Sequence, residues 1–267
     1  MLEGDFPHSR TPREILRQLW LLDSAPYPLD ELRATLEAAG REAPSDDRVW
    51  LGRAHVAIRS GRFDEADAWL RRCEAARPED SDVALARLAW ARASDRPEEA
   101  TRVLTRLPTS VLDGRDRLDL RAWFAARKGD VAAEKAALVE LLRIDPGYTP
   151  AVERLAKLVA RAGGPADELT RWRQLKADQD DAKHTYRGLM DHTADESLDA
   201  DRARIAEAAG RRFEAKGWWT LHLRRMRDDE AARQALAHLD AAPTAPAHPG
   251  RTLAETLADV LPGTPSC

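Results

Sequence analysis

The chain has 267 residues, 43% hydrophobic and 33% charged, which excludes both a membrane-embedded protein and a disordered chain and leaves ample material for a core. With 42 Lys and Arg against 46 Asp and Glu, its formal net charge is −4, so no global positive field gathers nucleic acid or an anionic membrane. Its two cysteines, Cys73 and Cys267, cannot build a disulfide framework and are expected to be reduced and non-catalytic.

The opening MLEGDFPHSRTPRE has neither a basic n-region nor an apolar h-region, and the apolar run Ile15–Leu22 is too short to span a bilayer. A cytoplasmic protein is expected from the chain as written, an exported one if a leader was trimmed. Thr11, Pro12 and Glu14 predict a helix start, with Thr11 as N-cap, Pro12 at the first position and Glu14 closing a capping box. The helix expected from PLDELRATLEAAG (Pro28–Gly40) is its natural partner, and the two together predict a degenerate repeat or cap over residues 1–46.

From there the chain repeats every 34 residues. Gly61, Asp95, Gly129 and Gly163 form one column, and Ala54, Leu88, Ala122 and Ala156 a second. Leu70, Leu104, Leu138 and Trp172 form a third, and Pro78, Leu112 and Pro146 a fourth. Each unit reads as two antiparallel helices. In residues 47–80, Trp50, Ala54 and Ala57 lie at helical spacing, Gly61 turns the chain, and Ala66, Trp69, Leu70 and Cys73 share the next helical face before Pro78. Pro97 opens the second helix of unit 81–114, Pro108 closes it early, and PTSVLDGRD makes a longer exit loop. Thr149 and Pro150 predict a cap and first-turn pair for the next unit. GRRFEAKGWW echoes GRFDEADAWL, but Gly210 stands 13 residues out of phase, which predicts an insertion between Lys176 and Asp199. The organisation expected is therefore capping helices over 1–46, repeats over 47–175, a helical repeat with insertion over 176–240, and a Pro-rich linker with a short tail helix over 241–267. That tail either runs toward another domain or docks back through Leu253, Leu257 and Leu261.

Trp50, Ala54, Gly61, Phe63, Ala66, Leu70 and Pro78 resemble the tetratricopeptide repeat, as do Leu118, Ala122, Gly129, Leu138 and Pro146, with Glu134 where that family has a small residue. The resemblance covers residues 11–175 well and 196–240 loosely. It implies an all-α, right-handed helical-repeat solenoid whose first helices line a concave groove, and hence a non-enzymatic protein-interaction scaffold. The groove positions it implies are Arg48, Leu51, His55 and Arg59, then Leu85 and Arg92, then Asp119, Trp123 and Arg127, then Arg154, Lys157 and Arg161. Arg48, His55, Arg59, Arg92, Trp123, Arg127, Arg154 and Lys157 are the partner-binding candidates, suited to an acidic peptide or partner domain because guanidinium forks onto carboxylates. The alternative is that these are simply solvated side chains. The family's Lys/Asn clamp is not matched, since Leu51 and His55 occupy its positions.

RAWFAARKGD (Arg121–Asp130) and AEAAGRRFEAKGWWTLHLRR (Ala206–Arg225) also resemble the repeat segment of bacterial ASPIC/UnbV-type FG-GAP proteins. That would imply a propeller partner from the same chain or a neighbouring gene, serving assembly or secretion. The calcium-loop repeats of such a propeller appear nowhere in the sequence. Trp218 and Trp219, although set in a basic run, are expected to pack rather than bind nucleic acid. His184 and His192 lie among aspartates without metal-site spacing, and no nucleophile elbow, phosphate loop or dinucleotide fingerprint is present, so no metal, cofactor or enzyme is expected. A ligand-sensing or enzymatic helical domain stands as the remaining alternative.

Overall fold

A computed structural model describes residues 11–24, 28–241 and 252–262, and these are all-α: fourteen helices, two short 3-10 turns and no strand among the described residues. The residues divide into two compact units, Tyr27–Glu134 with Pro246–Cys267, and Met1–Pro26 with Lys135–Ala245.

The first unit contains α2 (Leu29–Glu42), α3 (Asp47–Arg59), α4 (Phe63–Ala76), α5 (Ser81–Ala93), α6 (Pro97–Leu104) and α7 (Gly114–Lys128). Aspartates start the odd-numbered helices. Asp46 accepts from the Arg48 N–H, Asp80 from the Asp82 and Val83 N–H groups, and Asp113 from the Asp116 N–H, satisfying donors a helix start leaves open. Ala54 and Ala66 are fully buried, and their small side chains let α3 and α4 pack closely, with Leu70 and Cys73 filling the space beside them. Burial also raises the Cys73 thiol, which keeps thiolate scarce. Helix α3 also packs on α5, so consecutive first helices lie side by side.

The turn column is a conformational one. Gly61, Gly129 and Gly163 hold left-handed φ angles of 70°, 72° and 63°, and Asp95, the one non-glycine of the column, holds 57°. Each ends the first helix of a pair, so the 34-residue period is the spacing of a backbone requirement.

The second unit contains α1 (Pro12–Ser24), the rest of α8 (Val131–Ile144, which begins in the first unit), α9 (Thr149–Arg161), α10 (Ala166–Met190), α11 (Asp199–Ala208), α12 (Arg212–Arg225) and α13 (Glu230–Asp240). The out-of-phase step is visible in α10, which runs 25 residues against 14 in α4. The capping box of α1 forms, Thr11 Oγ1 accepting from the Glu14 N–H and Glu14 Oε2 from the Thr11 N–H at 2.7 Å. Helix α1 packs on α12 in the second unit and α2 on α3 in the first. Two contacts explain this. Leu16 fits against Gly217, where a Cβ would meet its side chain at 2.7 Å, and Arg13 holds Asp199 through both guanidinium nitrogens at 2.6 and 2.7 Å. The cap expected at Thr149 is also shifted. Its hydroxyl lies 3.3 Å from Gln179 Oε1 and accepts from Lys183 rather than capping α9.

The tail docks. Leu253, Leu257, Val260 and Leu261, around a one-turn helix α14 (Leu253–Thr256), join the core formed by α5, α6 and α7. Residues 242–251, which hold most of the Pro-rich linker expected from the sequence, and Cys267 lie outside the described residues.

Candidate functional site

The outward stripe of α3 carries Arg48, Leu51, His55 and Arg59, of which Leu51 is half-buried and the others are exposed. Arg48, with 82% of its side chain exposed, turns back on its own cap, bonding Asp46 through Nε at 3.0 Å and Nη2 at 2.7 Å. This fork and the Arg48 N–H hold the Asp46 carboxyl down at about 2. Partial burial lowers the His55 pKa against the opposing pull of Asp82, so the ring is uncharged at neutral pH. Arg59 ends α3 with no carboxylate in ion-pair reach among the described residues.

On α5 and α7 the other arginines already have partners. Arg92 pairs with Asp119, and Arg127 pairs with Asp95 while donating to the Trp123 carbonyl at 3.1 Å. The Arg127 guanidinium also lies 3.7 Å from the Trp123 ring centroid. Trp123 is only 7% exposed and packs edge-on against Phe124 at 4.8 Å, so it is a core residue supporting Arg127 rather than an exposed aromatic anchor. Arg154 and Lys157 lie on α9 in the second unit, Arg154 half-buried and Lys157 exposed. Arg48, His55 and Arg59 thus lie on α3, Arg92 on α5 and Arg127 on α7, all in the first unit.

The second unit holds features that repeat matching does not pick out. Trp218 and Trp219 are buried, Trp218 donating to the Tyr186 hydroxyl at 2.8 Å and Trp219 to Glu207 at 3.1 Å. Beside them Arg202, fully buried, donates to Asp199 at 2.9 Å and to the carbonyls of Leu189, Asp195 and His192. The Arg202 and Arg13 guanidiniums lie 5.0 and 5.6 Å from the Trp218 ring. His192 therefore serves through its backbone. Among the described residues no group of three or more His, Cys, Asp or Glu gathers in a metal-binding arrangement.

A cleft of about 530 Å³ opens nearby, lined by Leu19, Asp145, Lys183, Arg211 and Phe213 among others. Its floor exists because two turns meet at bare backbone. A Cβ on Gly210 would lie 1.9 Å from Gly147 Cα. Phe213, 67% exposed, stands at its edge, one residue beyond the position that aligns with Phe63.

Residues 33–89 match the family model of the tetratricopeptide repeat. Among solved structures, PilW, described as a widely conserved type IV pilus biogenesis factor, is similar with 18% identity and a TM-score of 0.42, over 85% of this chain and 100% of that one. No curated protein matches the sequence. Neither match reported above carries the propeller-bearing family. No helix among the described residues is long and apolar enough to cross a membrane. Residues 33–89, with paired helices and a left-handed turn at Gly61, are thus similar to the tetratricopeptide repeat, and the same left-handed turn recurs at Asp95, Gly129 and Gly163.

Proposed function

We propose that the chain is a non-enzymatic scaffold that binds an acidic segment of a protein partner on the first-helix face of α3, α5 and α7. Arg59 is the primary anchor. The observation that carries the reading is its isolation: an exposed guanidinium at the end of α3, on the helix that carries the uncharged His55 and apolar Leu51, without a carboxylate partner among the described residues. Arg92 and Arg127 would join by exchanging Asp119 and Asp95 for ligand carboxylates, an exchange of like for like whose net gain is small. Arg48 contributes at the rim, and Arg154 and Lys157, on α9 of the second unit, are separate candidates there. Pre-formed helices lose little conformational freedom on binding, which suits rigid side-chain recognition.

The test places a photo-crosslinking residue at position 59 and, in a second protein, at exposed Arg71 on α4, and identifies adducts from lysate. A partner captured from position 59 and not from 71, and lost in Arg59→Glu/Arg92→Glu/Arg127→Glu, is expected. Capture from position 71 alone, or equally from both, would refute the assignment. A second reading rests on the cleft beside Gly147 and Gly210. Phe213 is the most exposed large apolar side chain among the described residues, and Leu19 at 36% shares its cleft. A crosslink from position 213 and none from 59 would transfer the binding site there.

A further inference from the structure

Residues 252–262 dock on the first unit through apolar, main-chain and charged contacts. Four side chains, Leu253, Leu257, Val260 and Leu261, are at most 6% exposed and enter the same core as Leu104, Leu107, Leu120 and Phe124. They attach where α6 stops: α6 has eight residues where α4 has 14, with Pro108 shortly beyond. There the chain offers main-chain groups. The Leu253 N–H donates to the Leu107 carbonyl at 2.9 Å, and Thr252 bridges antiparallel to Pro108. The rim is charged and complementary. Arg121 on α7 grips both carboxylate oxygens of Asp259, one at 3.0 Å, and Lys128 donates to the Asp259 carbonyl at 3.0 Å.

The docked segment also carries its own start signal. Thr252 and Glu255 form a complete capping box, so its first turn is set locally. An apolar stripe, a self-capped turn, a strand-like first contact and an acidic rim are attributes by which short peptides are recognised in grooves. The segment follows residues 242–251, which contain Pro243, Pro246 and Pro249.

We propose that the slot formed by α6, the loop after it and α7 is a peptide-binding site, filled in cis by this chain's own tail, and that it accepts the same tail from a second copy of the chain. The tail sequence is the one ligand the slot is seen to fit, and every copy carries it. Tail exchange between two copies is reciprocal, so it closes as a dimer. A tethered tail acts at an effective concentration on the order of millimolar, so it masks the slot from free peptide unless it is weakened.

Two measurements on the full chain decide this. In the first, a fluorescent peptide of residues 252–262 is titrated onto wild type and onto Leu257→Asp, whose own tail loses a buried anchor. The variant is expected to bind the peptide at least about tenfold more tightly than wild type does. Absence of binding to it at about 1 mM, with wild-type helical circular dichroism, overturns the proposal. If Leu257→Asp fails to fold, Asp259→Arg replaces it, since that side chain is 56% exposed and its loss leaves the apolar anchors intact.

In the second, Asp259→Arg and Arg121→Asp chains are studied alone and mixed. Each tail is repelled by its own slot and matched by the other's. The mixture is expected to hold at least about fivefold more dimer by analytical ultracentrifugation than either variant alone, and the Arg121→Asp/Asp259→Arg double variant to behave like wild type. A mixture no more dimeric than its components overturns the second copy as occupant. The slot shares α7 with the first-helix face but uses Arg121 and Lys128 there, and Arg59 lies on α3, so Arg59→Glu leaves peptide binding unchanged and the two readings are told apart.

Discussion

Replacing Asp199 by alanine removes the carboxylate that two arginines share. Asp199 is 2% exposed, bonded by Arg13 at 2.6 and 2.7 Å and by Arg202 at 2.9 Å. Arg202 is fully buried, and burial already pulls its pKa down against the support of Asp199. Without Asp199 its guanidinium keeps the carbonyls of Leu189, Asp195 and His192 but has no opposite charge in contact. Leaving a buried charge unpaired costs about 3–5 kcal/mol, a large fraction of the stability of an ordinary domain. Arg13 also loses its fork, which frees α1 from α11, although Leu16 still packs on Gly217. Two results are expected in urea melts followed by helical circular dichroism, with hydrogen exchange across α1, α11 and α12. Asp199→Ala loses about 3–5 kcal/mol, and α1 exchanges faster than α9. Asp199→Leu/Arg202→Met, which removes both charges, loses markedly less than Asp199→Ala. A loss below about 1 kcal/mol for Asp199→Ala, or a double variant no better than the single, would refute the view that charge compensation holds this core.

Gly210→Ala and Gly129→Ala have the same left-handed strain, at φ 73° and 72°, but only Gly210 faces another backbone. Gly129→Ala is expected to lose about 1 kcal/mol and Gly210→Ala at least twice that in thermal melts. Equal losses would mean the two turns part freely. Asp95→Gly is expected to be about 1 kcal/mol more stable than Asp95→Ala, since both lose the Arg127 pair and only alanine keeps the strain. Burial pushes the Tyr186 phenol up to about 12. Between its unfolded value near 10 and that figure, only the unfolded chain has lost the proton. Stability therefore falls as pH rises through this window, by about 2–3 kcal/mol. Tyr186→Phe removes that slope while leaving the Trp218 N–H without its acceptor, a loss of about 1 kcal/mol at neutral pH, readable in urea melts at pH 7 and 11. An unchanged alkaline slope in Tyr186→Phe would place the titrating group elsewhere.

The local code of this protein is in its sequence. Helix periodicity, the small residues at Ala54 and Ala66 and the capping box at Thr11 and Glu14 concern contacts between neighbours in the chain or within one repeat. The turn column shows this most plainly, because a left-handed residue is demanded by the backbone wherever it recurs, and Asp95 occupies it although it is not glycine. The repeat match over residues 33–89 follows from that pattern. The aspartates at 46, 80 and 113 were equally open to reading as helix caps at nearly the same spacing.

What only the tertiary structure decided is which distant groups meet. Arg13 and Asp199 are 186 residues apart, and no periodicity announces that α1 packs on α12. The candidate arginines looked alike along the chain, yet Asp119 and Asp95 engage Arg92 and Arg127 while Arg59 has no carboxylate partner among the described residues, and Trp123 turned inward beneath Arg127. The tail was open to two fates because its leucines fit either a linker helix or a docked one. Its docking depended on a gap beyond a shortened α6, which is a property of space and not of sequence spacing. Periodic patterns record which face of a helix is buried, and the partner that buries it is chosen by shape and charge brought together only when the chain folds.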